Sequence, residues 1–303
     1  MEHQVEMSMR LAVLIVIHDM RREAPRTIFS ALPGYQKDVE ESDYEVIILE
    51  NGSTEPLPPD YIASLPGNVR YLAVPDPAPS PVAAVNWGVT QTEATELLIC
   101  IDGARIFSNR LIATGLAELR HHPDAFVYTP AYHLGPDVQM RSVEAGYDQS
   151  VEDALLANAN WQLEPDNLFT ISAMAGSSAS APFAPISESN AFFVGRQLFE
   201  QIGGYDPRFE MPGGSYCNLE LFARYVTRPD ALNIMLWGEG TFHQVHGGVA
   251  TNNRLKPEDL SAEYERVMGR PFALPQYQTH LAGWPRRASF SLLLNTLDRL
   301  QRS

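Results

Sequence analysis

Only two cysteines, Cys100 and Cys217, occur among 303 residues, which excludes a disulfide framework and suits free thiols in a reducing compartment. Basic residues are also scarce: 22 Lys and Arg stand against 37 Asp and Glu, a net charge of -15. No basic cluster exceeds a pair such as Arg21-Arg22 or Arg286-Arg287. Nucleic acid is therefore not an expected partner, because phosphate-backbone binding needs many cationic contacts. An anionic small molecule would need a cation or local dipoles to offset that field. Long apolar runs are missing as well. The run LAVLIVI, Leu11 to Ile17, is too short for a membrane span, and the acidic, polar MEHQVEMSMR before it is no signal-peptide flank. The expectation is a cytoplasmic protein with no transmembrane segment. There is no G-x-x-x-x-G-K-[ST] loop, no G-x-G-x-x-G after the first strand, no G-x-S-x-G elbow and no H-E-x-x-H. The common nucleotide-hydrolase, dehydrogenase, esterase and zinc-protease readings lose their motifs with them.

What is present is ample apolar material, 45% of the chain, in a strand-helix alternation. Leu11 to Ile17 and Tyr44 to Leu49 (YEVIIL) read as strands buried on both faces, with a helix over Pro25 to Ala31 between them. A short strand over Val69 to Val74, a helix over Ala83 to Thr92 and a strand over Leu97 to Ile101 follow. The pattern predicts an α/β domain with a mainly parallel sheet, which binds ligands outside the strand carboxyl ends. Asp19, Glu50 and Asp102 all stand at such ends. Beyond residue 105 the reading is a helix over Leu111 to His121, a strand over Phe126 to Tyr132 and a helix over Glu152 to Ala159. After these the spacing predicts a strand over Ala191 to Val194 and helices over Gly195 to Ile202 and Asn218 to Tyr225, the first closed by Gly203-Gly204. A strand over Ala231 to Leu236 and a helical tail, notably Ser289 to Leu300, complete the chain. SSASAPFAPISES, Ser177 to Ser189, reads as a long functional loop.

Several side chains are candidates for chemistry. Asp102 ends a buried strand, where an aspartate serves as turn former, helix cap or ligand. His243 and His246 in FHQVH are flanked by Gly238, Gly240, Gly247 and Gly248. Their spacing shares one face of a helical turn but opposite faces of a strand, so only one of them need face a given site. Carboxylate plus imidazole suits a divalent ion such as Mn and leaves positions open for phosphate oxygens. Glu188 follows a loop of small residues with no packing role in view, as a general base would. Glu220 sits one turn before Arg224, where an i, i+4 ion pair is the plain alternative. Trp161, Phe169 and Phe183 are aromatic residues of the loop-rich region that either stack on a ligand ring or fill the core.

Over most of residues 9 to 250 the chain resembles the family-two glycosyltransferases with the GT-A fold. The resemblance rests on LAVLIVIHDMRREAPRTIFSAL, YEVIILENGSTEP, NWGVTQTEATELLICIDGARI and SNAFFVGRQLFEQIGGYDPRF, in that order. The last is the most specific, a strand followed by R-x-x-F-x-x-I-G-G-Y-D. It implies a Rossmann-like, mostly parallel sheet flanked by helices, with an acceptor-side extension and a helical C-terminal tail. The implied division is one GT-A domain over 1-255, with a nucleotide-binding half (9-105) and an acceptor half (106-255), and a C-terminal extension (256-303) packed on it. The implied activity is inverting, metal-assisted transfer of a sugar from a nucleotide diphosphate-sugar donor to an acceptor hydroxyl, with Mn or Mg on the diphosphate.

Carried over residue by residue, the resemblance places His18, Asp19, Glu50, Asn51, Asn86 and Asp102 around the nucleotide. Asp102 matches the first acid of the D-x-D motif, and His243 or His246 a further metal ligand. The departures are Ala104 for the second acid, Val85 before Asn86, and Cys217-Asn218 where a Glu-Asp pair supplies the base. Glu220 is then the first candidate for the base and Glu188 the second. Nucleotide diphosphate binding is expected to depend on a divalent cation. The alternative these departures favour is a catalytically silent GT-A domain that binds a nucleotide sugar or acts as a scaffold.

Overall fold

The computed structural model describes residues 10–246 and 256–302. Gly247, Gly248 and the expected boundary at 255 lie outside the described residues. The strands are β1 (Leu11–Ile17), β2 (Tyr44–Glu50), β3 (Val69–Ala73), β4 (Glu96–Cys100), β5 (Arg105–Phe107), β6 (Phe126–Tyr128), β7 (Ala131–Leu134), β8 (Ser172–Met174), β9 (Ala191–Gly195), β10 (Asn233–Leu236), β11 (Thr241–His243) and β12 (His280–Ala282). Eight of them form one sheet in the order β12-β10-β6-β9-β4-β1-β2-β3, and four form a second in the order β5-β11-β7-β8. In the large sheet β9 runs antiparallel to β4 and β6, and the other pairs are parallel.

The continuous apolar runs are explained by burial on both faces. Along β1, Leu11, Val13, Ile15 and Ile17 point into one core and Ala12, Leu14 and Val16 into another. Residues at period two feed opposite sides of a sheet covered by helices above and below. The chain leaves β1 toward β2 and β3 on one side and crosses back to β4 on the other. The crevice at the carboxyl end of β1 is thus a topological switch point, where a sheet of this kind opens to ligands. Gly88, in the helix Val82–Val89, shows how close that cover lies: a Cβ there would sit 2.3 Å from Leu49 Cδ1.

Phe126 to Tyr132, expected as one strand, is two strands in different sheets. Pro130 has no N–H to continue a ladder. The flanking donors turn to the 177–189 loop instead: Thr129 N–H donates to Ser189 Oγ at 3.3 Å and Ala131 N–H to Ser178 Oγ at 2.9 Å. That loop is therefore clamped at both ends, and it delivers Glu188 to the crevice. Trp161 and Phe169 are 5% and 1% exposed and belong to a third core cluster with Phe242 and Tyr132, so they fill the core. Phe183 is exposed. In the C-terminal segment the helix Pro257–Met268 buries Tyr264 and Val267 in a core shared with the sheet, and β12 adds an edge strand. Among the described residues no helix is long and apolar enough to cross a membrane.

Candidate active site

A cavity of about 620 Å³ opens at the carboxyl ends of the central strands. His18, Asp19, Asn51, Asp102, Glu188, His243 and His246 line it, together with Arg105, His133 and Asn218. Each arrives there for a local reason. Asp19 follows β1 in the left-handed region (φ 51°) and is held by the turn after β2. Its N–H donates to Ser53 Oγ at 2.7 Å, and its carboxylate accepts the Thr54 N–H at 2.6 Å. His18 Nδ1 donates to the Asn51 carbonyl at 2.9 Å, and the Asn51 amide bonds Ala78 through both its atoms. Glu50 faces inward, where its carboxylate accepts the Ser53 N–H and the Tyr71 hydroxyl. It shapes the turn and does not line the cavity.

The turn Asp102-Gly103-Ala104-Arg105 packs tightly beneath the end of β1. A Cβ on Gly103 would lie 2.6 Å from the Val16 carbonyl oxygen, so only glycine fits there. Ala104 is fully buried and its carbonyl accepts the Gln244 N–H at 2.8 Å. That bond and the antiparallel β5–β11 pairing, which sets Arg105 opposite His243, bring FHQVH against Asp102. The chain leaves β11 after His243, so the alternation of a strand stops before His246. Both histidines reach the same carboxylate. His243 Nε2 is 3.0 Å from Asp102 Oδ2, His246 Nε2 is 3.9 Å from Asp102 Oδ1, and the two Nε2 atoms are 3.1 Å apart.

This donor set fits a cation. His243 Nδ1 donates to the Gln139 amide oxygen, which leaves a lone pair on the Nε2 that faces a carboxylate oxygen. Two acceptors at that separation repel unless something positive lies between them. Ligands roughly 2.1 Å from a metal, at right to tetrahedral angles, stand about 3.0–3.4 Å from each other; two of the three spacings here, 3.0 and 3.1 Å, match this, and the third is 3.9 Å. The hydrogen bond to Gln139 is also the outer support that orients a ligating imidazole. Burial would raise the Asp102 carboxyl, but His243 and Arg105 outweigh it and hold the group well below the usual carboxylate range. Burial and then Arg105 push His243 down to about 4 against the pull of Asp102. His133, whose Nδ1 accepts the Gln139 N–H, is pushed down to about 3 by burial, His243 and Arg105. The histidines at positions 133 and 243 are accordingly neutral near pH 7, the form that binds metals.

The two candidate bases are placed differently. Glu220 is 3% exposed on the helix Cys217–Val226, away from the cavity lining, with Arg224 Nε 2.7 Å from its Oε1. Arg224 also donates to the carbonyls of Ile202 and Gly204, so this pair braces the Gly203-Gly204 turn. Glu188 lines the cavity and its Oε2 accepts from Asn218 Nδ2 at 2.9 Å. Asn218 in turn accepts the Tyr205 hydroxyl at 3.0 Å, and Asn86 clasps the Tyr205 backbone through its Oδ1 and Nδ2. Asn86 thus stands one layer behind the cavity, as an anchor. Where the sequence lacks an acid at 218, the structure brings a carboxylate to the Asn218 amide from the opposite loop. Arg105 and His133 escaped the sequence reading, and Asn218 entered it only as a missing acid, because only the β5–β11–β7 pairing and the 177–189 loop assemble them.

The family profile Glycosyltransferase like family 2 matches residues 27–237. No curated protein matches the sequence. Among solved structures, Staphylococcus aureus TarS is similar with a TM-score of 0.51 at 10% identity, over 88% of this chain and 44% of that one. TarS 1-349 in complex with UDP-GlcNAc gives 0.53 at 11% identity, over 86% and 65%. GalNAc-T7 with UDP, GalNAc and Mn2+ gives 0.50 at 15% identity, over 80% and 45%. The chain therefore spans less than two thirds of the TarS chains at the head of this comparison, and at such identities the likeness concerns the fold. With the profile covering 27–237 and the mixed sheet matching these enzymes, the chain belongs to the glycosyltransferase-like family 2 and has the GT-A fold.

Proposed function

We propose that this protein transfers a sugar from a nucleoside diphosphate-sugar to an acceptor hydroxyl, with inversion and with the help of a divalent cation, Mn or Mg. The observation that carries this reading is the convergence of Asp102, His243, His246 and the carboxylate of Glu188 on one cavity at the strand carboxyl ends. UDP-sugars are the first donors to test, since TarS and GalNAc-T7 were solved with UDP-GlcNAc and with UDP and GalNAc. In this reading 9-105 is the nucleotide half, 106-255 the acceptor half, and 256-303 an extension of the same domain. Two buried free cysteines support a cytoplasmic location.

His18, Asp19 and Asn51 frame the nucleoside end of the cavity, with Glu50 holding their turn. Asp102, His243 and His246 would hold the cation, which when bound offsets charge on the departing diphosphate. Glu188 takes the acceptor proton while Asn218 fixes its orientation, and general-base help of this kind is worth roughly 10²–10⁴-fold. The base is placed at Glu188 rather than Glu220 because Glu220 is committed to Arg224. The test is donor turnover against a panel of acceptors. Glu188→Gln should lose roughly 10²–10⁴-fold in kcat, whereas Glu220→Gln should lose thermal stability first. Full turnover by Glu188→Gln would sink the assignment. Nucleotide binding without turnover by the wild type on every donor would favour the silent domain.

A further inference from the structure

Arg105 is the only lysine or arginine among the described residues that line the cavity. Its side chain is 8% exposed, and Nε lies 3.0 Å from Asp102 Oδ2. Yet neither Nε nor Nη1 has a hydrogen-bond partner. Other arginines of this protein are well supplied: Arg196 donates to the carbonyls of Ala94, Val89 and Thr92, and Arg286 to Gly238, Asn109, Asp166 and Glu239. Nε is ion-paired with Asp102, but a guanidinium offers five donors in a fixed fork and no acceptor, so leaving Nη1 unmatched in a buried wall is costly. An anion in the cavity that this side chain lines would offset its charge.

We propose that Arg105 is a built-in cation for the donor's diphosphate, sharing with the divalent ion the task of holding the phosphates. This inference rests on the transferase reading above. The fork of a guanidinium matches phosphate oxygens, and a charge on a dry wall acts more strongly than one in water. A chain of net charge -15 repels a diphosphate, so a fixed positive group at the cavity carries weight. The missing second acid also acquires a reason. A carboxylate at position 104, next to Arg105, would cancel the positive charge, whereas Ala104 is apolar and fully buried. Arg105 further offsets the charge of Asp102, so the Asp102-His243-His246 group attracts a divalent ion less than a bare carboxylate site would. Diphosphate affinity therefore falls when metal is removed but does not fall to that of the nucleoside.

The experiment is titration calorimetry of UDP and of uridine into the wild type, Arg105→Gln and Arg105→Lys, each with Mn and with excess EDTA. In EDTA the wild type should bind UDP about 10- to 100-fold more tightly than uridine. Arg105→Gln should bring UDP down to the uridine level while uridine binding is kept, and Arg105→Lys should recover part of the difference. Uridine serves as the control for folding, since a variant that fails to fold loses both ligands; circular dichroism then identifies it and Arg105→Lys carries the test. An unchanged UDP-to-uridine ratio in Arg105→Gln would overturn the role of Arg105 and leave the transferase reading intact. A wild type that binds neither uridine, UDP, guanosine nor GDP would remove the donor reading and this inference with it.

Discussion

Replacing Arg286 with methionine should destabilise this protein by about 3–5 kcal/mol near pH 8, the usual consequence of stranding a buried charge. Glu239 is 6% exposed, and Arg286 holds its two oxygens at 2.6 and 2.8 Å. Ser108 donates to the same carboxylate at 2.6 Å and accepts the Gly240 N–H at 3.0 Å, so the pair secures the Trp237–Gly240 loop that feeds β11 and His243. Burial raises the Glu239 carboxyl, and Arg286 is the largest opposing influence. Without Arg286 the carboxyl rises further. An acid raised in the folded state favours the fold at low pH and loses that contribution as pH climbs through its folded value. The Arg286→Met defect should accordingly be smaller at pH 5 than at pH 8. At about 2.1 cal/mol/K per residue, 303 residues give an unfolding entropy near 0.64 kcal/mol/K, so a loss of ~4 kcal/mol lowers Tm by about 6 °C. Scanning calorimetry at the two pH values measures this. Adding Glu239→Gln should restore at least half of the loss at pH 8, since the stranded charge is then gone. A shift under about 2 °C at pH 8, or no rescue by the second change, would refute the reasoning.

Two further predictions concern the core and pH. Gly115→Ala improves helix propensity, but its Cβ would stand 2.3 Å from Phe193 ring carbons, so a net loss of about 1–3 kcal/mol is expected in urea unfolding. A more stable variant would show that the Leu111–His121 helix can shift. Burial pushes the Glu152 carboxyl from 4.5 up to about 7, against the Val245 N–H and Arg22. Its contribution is present below the unfolded value and lost as pH rises through about 7, on the order of 3 kcal/mol in all. Glu152→Gln should flatten wild-type stability between pH 5 and 8, and parallel pH profiles of the two proteins would contradict this.

The periodicity of the chain determined most of the strands and helices between residues 11 and 121. Leu11–Ile17 and Leu111–His121 have in the structure the bounds read from the sequence. The other strands and helices read in this stretch shift by a few residues at their ends, and the five-residue helix Pro59–Ala63 is too short to show a period. Continuous apolar runs admit few alternatives to a strand buried on both faces, and a glycine such as Gly203 at φ 87° stops its helix by local conformation alone. Asp102 too was legible, since the end of a parallel strand is fixed by the strand. The rest depended on contacts between segments far apart in sequence. The three-residue strands β5 and β11 are too short to show a period, yet their pairing is what sets His243 opposite Arg105. Glu220 and Glu188 are both plausible acids in sequence. Only the positions of Arg224 on the same helix and of Asn218 across the cavity separate a carboxylate used to brace a turn from one that faces the cavity. A sequence lists the charges, but which of them are compensated is a property of distances, and distances over 30 or 140 positions are set by tertiary packing.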